Sequence, residues 1–323
     1  ITIDLGFAYA RLEGDAITGY IDVPGHERFV HTMLAGAGGI DYALLVIAAD
    51  DGIKPQTREH LAILDLLGLG RGLVAITKAD LVDDDQVAAV VRDVHELLAP
   101  TRLKDLAILP VSAATGRGME ELRLRLAGAE SATVQASSRG RFRLAVDRSF
   151  VLSGAGTVVT GTVLSGSVTV GDQVVISPSG RTARVRSIHA QNQQADRGFT
   201  GQRCALNLAG DGISKNAVGR GDMIVDPNLH APTARVDGQL EVLAGEPKAI
   251  GEWFSARLHH ASVEVGVRLV PLQDPIGPGQ TGKVQLVLDQ PIAAAVGDRF
   301  ILRDVSAQRT IGGGAFLDLR APL

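Results

Sequence analysis

Residues 22–28, Asp22-Val-Pro-Gly-His-Glu-Arg28, follow the short apolar stretch Gly19-Tyr-Ile21 and precede a helix expected to begin near Phe29. A carboxylate at a strand's end, followed by Pro-Gly, is how a phosphate–metal site is built. Asp22 can hold magnesium through a water. Gly25 has no side chain, so its backbone N–H can approach a terminal phosphate closely. His26 then lies where an attacking water could be oriented or polarised. Alone, the same residues also fit a surface turn with an incidental histidine, so the choice rests on the surrounding chain.

Around this stretch, strand and helix patterns alternate. Residues 43–49 form a continuous apolar run of the kind buried in a parallel sheet. Residues 57–67 read as a helix with Thr57 as N-cap and Leu61, Leu64 and Leu67 on one face. A strand at 72–77, a helix at 85–99 with Val87, Val91, Val94 and Leu98 inward, a strand at 106–112 and a helix at 118–126 complete the series. This order implies a parallel sheet with helices on both faces. Residues 127–140, with Ser131, Ser137, Ser138 and Gly140, read as a linker. Beyond it the period becomes two: short strands at 141–151, 157–164, 173–177, 182–189, 202–208 and 223–225 imply a compact β-barrel. A second all-β stretch begins near Thr233, after Pro227 and Pro232. Val170-Gly-Asp172, Arg220-Gly-Asp222 and Val296-Gly-Asp298 are matching turns, a weak echo across the two stretches. The expected fold is multidomain α/β plus all-β: an α/β domain at 1–138, then β-barrels at 139–230 and 231–323.

Composition narrows the classes. A net charge of −4 means that nucleic-acid contact must come from a local patch. Cys204, the single cysteine, excludes an internal disulfide framework and fits a reducing cytoplasm. Asp41 and Asp50 bracket the apolar run 42–49, which is too short to span a bilayer, and no signal peptide is expected. The sequence starts at Ile1 within what reads as a structured segment, and the expectation is a fragment.

Thr77-Lys78-Ala79-Asp80 directly follows the strand 73–76. A carboxylate at Asp80 can accept from the N1–H and 2-amino group of guanine, which adenine lacks, while Lys78 can lie along base and ribose. Ser112-Ala113, after 108–111, would offer a backbone N–H to the base O6. Asp22, Thr77–Asp80 and Ser112 all fall at carboxyl ends of neighbouring strands, the edge where open α/β sheets bind ligands. Singly each motif is unspecific; three in order point to guanine-nucleotide binding.

These three motifs resemble the third, fourth and fifth motifs of translational GTPases, and Ile1-Thr2-Ile3-Asp4-Leu5-Gly6 resembles the end of their first switch. The resemblance implies a P-loop-NTPase-type GTPase domain that binds GTP and GDP with Mg2+. It also implies that the Thr2 hydroxyl coordinates the magnesium beside Asp22, and that His26 places the hydrolytic water once the ribosome docks. Thr77 stands where most of these proteins have asparagine, as one branch does: the selenocysteine-specific elongation factors. Similarity to that branch extends through Met33-Leu-Ala-Gly-Ala-Gly-Gly-Ile-Asp41, the segment 57–64, His189-Ala-Gln-Asn192 and Leu302-Arg-Asp-Val-Ser-Ala307, almost the whole chain. The segment 147–161, with Gly154-Ala-Gly-Thr-Val-Val-Thr-Gly161, resembles the second-domain core shared with elongation factor Tu.

The resemblance implies delivery of selenocysteinyl-tRNA to the ribosome at recoded UGA codons by a cytoplasmic, monomeric protein with no membrane partner. Its phosphate-binding loop would precede Ile1, and winged-helix domains holding a selenoprotein mRNA hairpin would follow Leu323; without the loop the chain should bind GTP poorly. Two alternatives remain: a general aminoacyl- or initiator-tRNA carrier GTPase, or a nucleotide-free RNA- or ribosome-binding module.

The aminoacyl pocket follows from chemistry. A selenol is more acidic than a thiol, so selenocysteine is largely anionic near neutral pH while serine is neutral, and a selective pocket needs cations. Arg148 and Arg203 are expected to flank the selenolate with Asp147 orienting one guanidinium; solvated barrel arginines are the plainer reading. Arg139, Arg141 and Arg143 could meet tRNA phosphates, though a basic strand start is more often solvated. His259-His260 would point to opposite faces of a strand and are expected to be structural. Asp83-Asp84-Asp85 reads as a helix-capping turn, and Met33, Met119 and Met223 as core.

Overall fold

The computed structural model describes residues 2–14, 17–133, 140–152 and 156–322. Ile1, Ser137, Ser138, Arg139 and Gly154 lie outside them. The chain packs as two compact units, Ile1–Tyr9 with Gly19–Gly39 and Ala136–Leu323, and Ala10–Thr18 with Ile40–Gln135. The segments expected to open the α/β domain thus group with the barrels. The reason is local: β1 (Gly6–Ala10) and β2 (Thr18–Asp22) form a two-stranded sheet of their own, and helix α1 (Val30–Ala37) packs on barrel strands.

A tight contact seats α1. A Cβ at Gly36 would lie 2.8 Å from Leu5 Cδ2, one at Gly38 2.8 Å from Ala261 Cα, and one at Gly39 2.6 Å from Thr162 Cγ2. The Gly-Ala-Gly-Gly run is therefore a close-packing surface, and Val30, Met33, Leu34 and Ala37 bury the helix's apolar stripe beside it.

The other unit holds a parallel sheet of β3 (Ala43–Ala48), β4 (Gly72–Thr77) and β5 (Ala107–Pro110), in that order, with α2 (Pro55–Leu66), α3 (Asp84–Leu98) and α4 (Met119–Thr133). Leu73, Val74, Ala75 and Ile76 of the central strand are all buried. β3 differs from the expected two-sided burial: Ala43, Leu45 and Ile47 face inward, but Leu44 is 38% and Val46 56% exposed, because β3 is an edge strand covered on one face. Val87, Val90, Val94 and Leu98 form the buried stripe of α3, each contributing about 1.5–3 kcal/mol. Its N-cap is Asp83, which accepts from the Gln86 N–H at 2.8 Å.

Two helix boundaries correct the sequence reading. Lys54, not Thr57, is the N-cap of α2, because Pro55 fits the first helical position; Thr57 instead accepts from the Lys54 N–H through Oγ1 at 3.3 Å. α4 runs on to Thr133 through residues assigned to the linker, since its Ala and Glu residues favour helix and one glycine does not end it. Met119, at its start, is exposed rather than core.

The first barrel comprises β6 (Arg143–Leu152), β7 (Gly156–Ser165), β8 (Ser167–Thr169), β9 (Gln173–Ser177), β10 (Arg181–Ala190), β11 (Gln193–Ala195), β12 (Arg197–Phe199), β13 (Arg203–Ala209) and β14 (Met223–Val225). Its ring runs β10-β13-β7-β6-β14-β9 and closes through β9–β10. The second, β15 (Thr233–Val242), β16 (Phe254–His260), β17 (Val263–Pro271), β18 (Thr281–Ile292), β19 (Arg299–Arg303) and β20 (Thr310–Asp318), closes in the order β15-β18-β17-β16-β19-β20. Inward-facing aliphatic residues fill each, with Phe300 stacked on Phe316 in the second.

The echoed turns are one structure used three times. Gly171, Gly221 and Gly297 take φ of 98°, 98° and 87°, as the third position of a type II turn requires. The aspartate after each accepts from the N–H three residues back: Asp172 from Thr169 at 2.7 Å, Asp222 from Gly219 at 2.9 Å and Asp298 from Ala295 at 2.9 Å.

Asp298 also joins the barrels. Arg143 donates to both its oxygens, at 3.0 and 2.5 Å, and His260 Nε2 lies 2.9 Å from Oδ2. Arg143 is thus buried and paired, not offered to phosphates, while Arg141 is exposed beside Asp226. Burial opposes the Asp298 charge, but His260 and Arg143 outweigh it and hold the carboxyl well below its usual range. With a folded pKa below the unfolded one, the stabilisation is complete above about pH 4 and is lost as pH falls through the folded value. Asp298→Asn should cost about 3 kcal/mol in urea unfolding at pH 7, a difference still present at pH 5 and shrinking below about pH 4.

His259 is buried, its Nε2 without a partner among the described residues. Burial, with the charges of Arg303, His31 and Arg257, pushes its imidazole down to about 3. The unfolded chain therefore takes up a proton below about pH 6.5 that the folded chain refuses, and stability falls from there toward pH 3. His259→Leu should remove up to about 1.4 kcal/mol per pH unit from the acid slope of stability across this window.

Candidate functional site

The residues expected at the nucleotide fall in both units, and each group is described within its own. In the unit with the parallel sheet, Thr77 closes β4, and its Oγ1 donates to the Ile47 carbonyl at 3.4 Å. Lys78 adopts a left-handed backbone, φ 55°, which costs a non-glycine residue about 1 kcal/mol. Its ammonium bonds both oxygens of Asp50, at 3.2 and 3.0 Å; these exposed contacts, led by the hydrogen bond, raise its pKa.

The Ala79 N–H donates to the Val111 carbonyl at 3.2 Å and the Val111 N–H to the Ile76 carbonyl at 2.8 Å. The Thr77–Asp80 and Ser112–Ala113 turns are therefore laced together at the carboxyl ends of adjacent strands. Asp80 is exposed, with no protein partner among the described residues. Ser112 is buried and accepts from the Thr115 N–H at 3.1 Å, fixing the loop that presents the exposed Ala113.

In the other unit, Asp22 ends β2 and is exposed, again with no protein partner among the described residues. Gly6 explains its room: a Cβ there would sit 3.2 Å from Asp22 Cβ and 3.4 Å from Oδ2. A Cβ at Gly25 would meet nothing within 4 Å, so that turn is open to a ligand. His26 Nδ1 accepts from the Arg28 N–H at 3.2 Å, leaving Nε2 to carry the proton of the neutral ring. Among the described residues no cluster of three or more His, Cys, Asp or Glu could cage a metal. One exposed carboxylate at Asp22 and one exposed hydroxyl at Thr2 fit magnesium's habit of few protein ligands, the rest being water and phosphate.

Asp147 and Arg203 meet directly, whereas Arg148 does not join them. Asp147 is buried at a β-bulge, where the β6–β7 register slips between Val146 and Arg148. The bulge turns Asp147 inward toward Arg203, whose Nε and Nη2 bond its two oxygens at 2.9 and 2.8 Å. Thr160 donates to Asp147 at 2.6 Å and accepts from Arg203 at 2.9 Å. Burial works against the Arg203 charge, but Asp147 more than offsets it, and the guanidinium is held above its usual range. The neighbouring Cys204 thiol is pushed up to about 12 by burial and is no nucleophile at neutral pH.

Arg148 points instead to the segment after Thr2. It donates to Asp4 Oδ2 and to the Leu5 carbonyl, both at 2.9 Å. Arg220 donates to Asp4 Oδ1 at 3.2 Å and to the Asp147 carbonyl at 3.1 Å. The Phe7 ring stacks 3.5 Å from the Arg203 guanidinium and 5.7 Å from that of Arg148. A small cavity beside it is lined by Leu5, Phe7, Ile21, Gly36, Asp147 and Thr162. Sequence reasoning assigned no role to Asp4, Phe7, Thr160 or Arg220. Arg220 was visible in the echoed turn, but nothing local connects it to Asp4, 216 residues away.

The two arginines differ in burial: side-chain exposure is 17% for Arg203 over a 6% exposed Asp147, and 43% for Arg148 over a 51% exposed Asp4. Arg203→Met should therefore cost about 3 kcal/mol in denaturant unfolding by stranding Asp147, and Arg148→Met under about 1 kcal/mol.

Residues 1–132 match the family model for the elongation factor Tu GTP binding domain, 156–225 that for elongation factor Tu domain 2, and 234–323 that for the selenocysteine-specific elongation factor β-barrel domain. The selenocysteine-specific elongation factor of Escherichia coli (strain K12) is 43% identical over 325 residues, covering 100% of this chain and 50% of that protein. Its counterpart in Desulfomicrobium baculatum is 41% identical over 319 residues, 98% of this chain and 50% of that one. The chain thus spans about half the length of these curated relatives. A crystal structure of a bacterial selenocysteine-specific elongation factor superposes with a TM-score of 0.87 at 27% identity, over 100% of this chain and 53% of that one. The elongation factor SelB of Methanococcus maripaludis, in complex with the GTP analogue GPPNHP, does so at 0.87 and 25% identity, over 99% of this chain and 74% of that one.

Proposed function

The chain belongs to the family of selenocysteine-specific elongation factors, a group of GTP-binding translation factors, and on that premise we propose that it binds selenocysteinyl-tRNA and delivers it to the ribosome at recoded UGA codons, hydrolysing GTP there. The observation that carries the nucleotide half is the lacing of the Thr77–Asp80 turn to the Ser112–Ala113 turn at the carboxyl ends of adjacent strands, with Asp80 and Ala113 both exposed.

Asp80 accepts from guanine N1–H and the 2-amino group, the Ala113 N–H serves O6, and Lys78 lies along base and ribose. Asp22, through a water, and Thr2 would hold magnesium, which when bound would offset phosphate charge. The Gly25 N–H approaches the terminal phosphate, and His26 presents Nε2–H toward the attacking water. In the first barrel, the aminoacyl end meets Asp147, Arg148 and Arg203: Asp147 holds Arg203 and the guanidinium cluster favours an anionic side chain over a neutral one. The setting is the cytoplasm, where ribosomes work; no described helix is long and apolar enough to cross a membrane.

A fluorescent GDP titration on the intact protein tests the nucleotide half. Asp80→Asn replaces an acceptor of two charge-assisted hydrogen bonds and should weaken GDP about 100-fold. Xanthosine diphosphate, whose 2-oxo group accepts where guanine donates, should gain affinity in the same variant. Equal GDP binding by wild type and variant would overturn the role of Asp80, and no GDP binding by either would favour the nucleotide-free binding module.

A further inference from the structure

The arginine cluster already holds an anion, and it is part of the chain. Asp4 sits between Arg148 and Arg220, with one carboxylate oxygen on each and the Leu5 N–H on Oδ1 at 2.9 Å. Asp147, by contrast, is spoken for by Arg203, Thr160 and the barrel wall. The two aspartates differ in kind: Asp147 is a buried fixture, while Asp4 is half exposed and carried on a segment outside the barrel.

We propose that Asp4 is a resident competitor at the aminoacyl site: it serves as the counter-ion of Arg148 and Arg220, which an incoming anionic side chain must replace and a neutral one leaves seated. The inference rests on the aminoacyl-site reading above and adds the residue that sets its threshold. Three guanidiniums, Arg148, Arg203 and Arg220, face two carboxylates, leaving one positive charge in the cluster. A ligand carrying one negative charge can neutralise that excess or take over the guanidinium edges that Asp4 holds. A serine hydroxyl can do neither: displacing Asp4 would expose two cations and return no ion pair. The seated carboxylate thus lowers affinity for an anionic side chain, which needs those edges, and leaves a neutral one, which does not, unaffected.

The exchange is physically accessible. The Arg148 and Arg220 side chains are 43% and 35% exposed and Asp4 51%, so each contact is a partly solvated ion pair rather than a buried one. Asp4 is two residues beyond Thr2, so release of its carboxylate changes the tether on the segment that carries that hydroxyl. Phe7, stacked on Arg203, keeps the rest of the segment in place while Asp4 alone moves.

The test uses the intact protein with a non-hydrolysable GTP analogue and measures protection of the aminoacyl ester from hydrolysis, for selenocysteinyl-tRNA and seryl-tRNA. Asp4→Asn, a change at an exposed side chain, should tighten selenocysteinyl-tRNA about 10-fold, the worth of two exposed ion pairs no longer competing, and leave seryl-tRNA within about two-fold. Arg220→Met should lower the ratio between the two tRNAs. A wild-type protein that discriminates, with an Asp4→Asn variant that binds selenocysteinyl-tRNA no better or shifts both tRNAs equally, overturns the role of Asp4 alone. A wild-type protein that protects both tRNAs alike overturns the aminoacyl-site reading, and the proposal with it.

Discussion

Asp147 is a carboxylate buried in a barrel wall, where a lone charge would cost several kcal/mol. Much of the surrounding arrangement follows from satisfying it. The bulge in β6 turns the side chain inward, Thr160 on the paired strand supplies a hydroxyl, and Arg203 from β13 supplies a fork of two donors. Once its edge is committed to Asp147, the guanidinium has a flat face to spare, and Phe7 takes it. The Asp147 carbonyl, meanwhile, anchors Arg220, which reaches Asp4 with its other nitrogen. Asp147 thereby anchors two arginines, Arg203 through its carboxylate and Arg220 through its carbonyl, and through them the segment lying over them.

What was legible in the sequence was whatever depends on near neighbours. The period-two pattern locates β6, β7, β9, β10, β13 and β14, while β8, β11 and β12, of three residues each, are not marked by it. The Thr77–Asp80 and Ser112–Ala113 turns follow apolar strands directly, so their adjacency could be anticipated from strand order. Arg143 shows the limit: a basic residue opening a strand looks solvated, yet its partner Asp298 lies 155 residues on. Thr57 shows another, since the cap passes to Lys54 once Pro55 occupies the first turn. The two-sided burial expected of β3 failed because apolar content does not reveal which strand stands at the edge.

The repeated Gly-Asp turn gives the barrels a common fastening, but its aspartates have diverged in use. Asp172 and Asp222 accept from their own turns, and burial raises the Asp222 carboxyl. Asp298 keeps the turn bond and adds Arg143 and His260, turning a local fastening into a joint between barrels. The same geometry yields a higher carboxyl pKa in one place and a lower one in another, because what matters is whether a cation lies within reach.

The glycines of α1 carry a mechanical consequence. At Gly36, Gly38 and Gly39 the helix and its end meet Leu5, Ala261 and Thr162 without a side chain of their own. A joint cushioned by long side chains has slack, since rotamers can absorb an ångström of movement before the partner feels it. Bare main chain has no such play. A displacement of α1, which begins four residues after His26, is passed to the second barrel at Ala261 and to the first at Thr162 without lost motion, as between two gears cut without backlash.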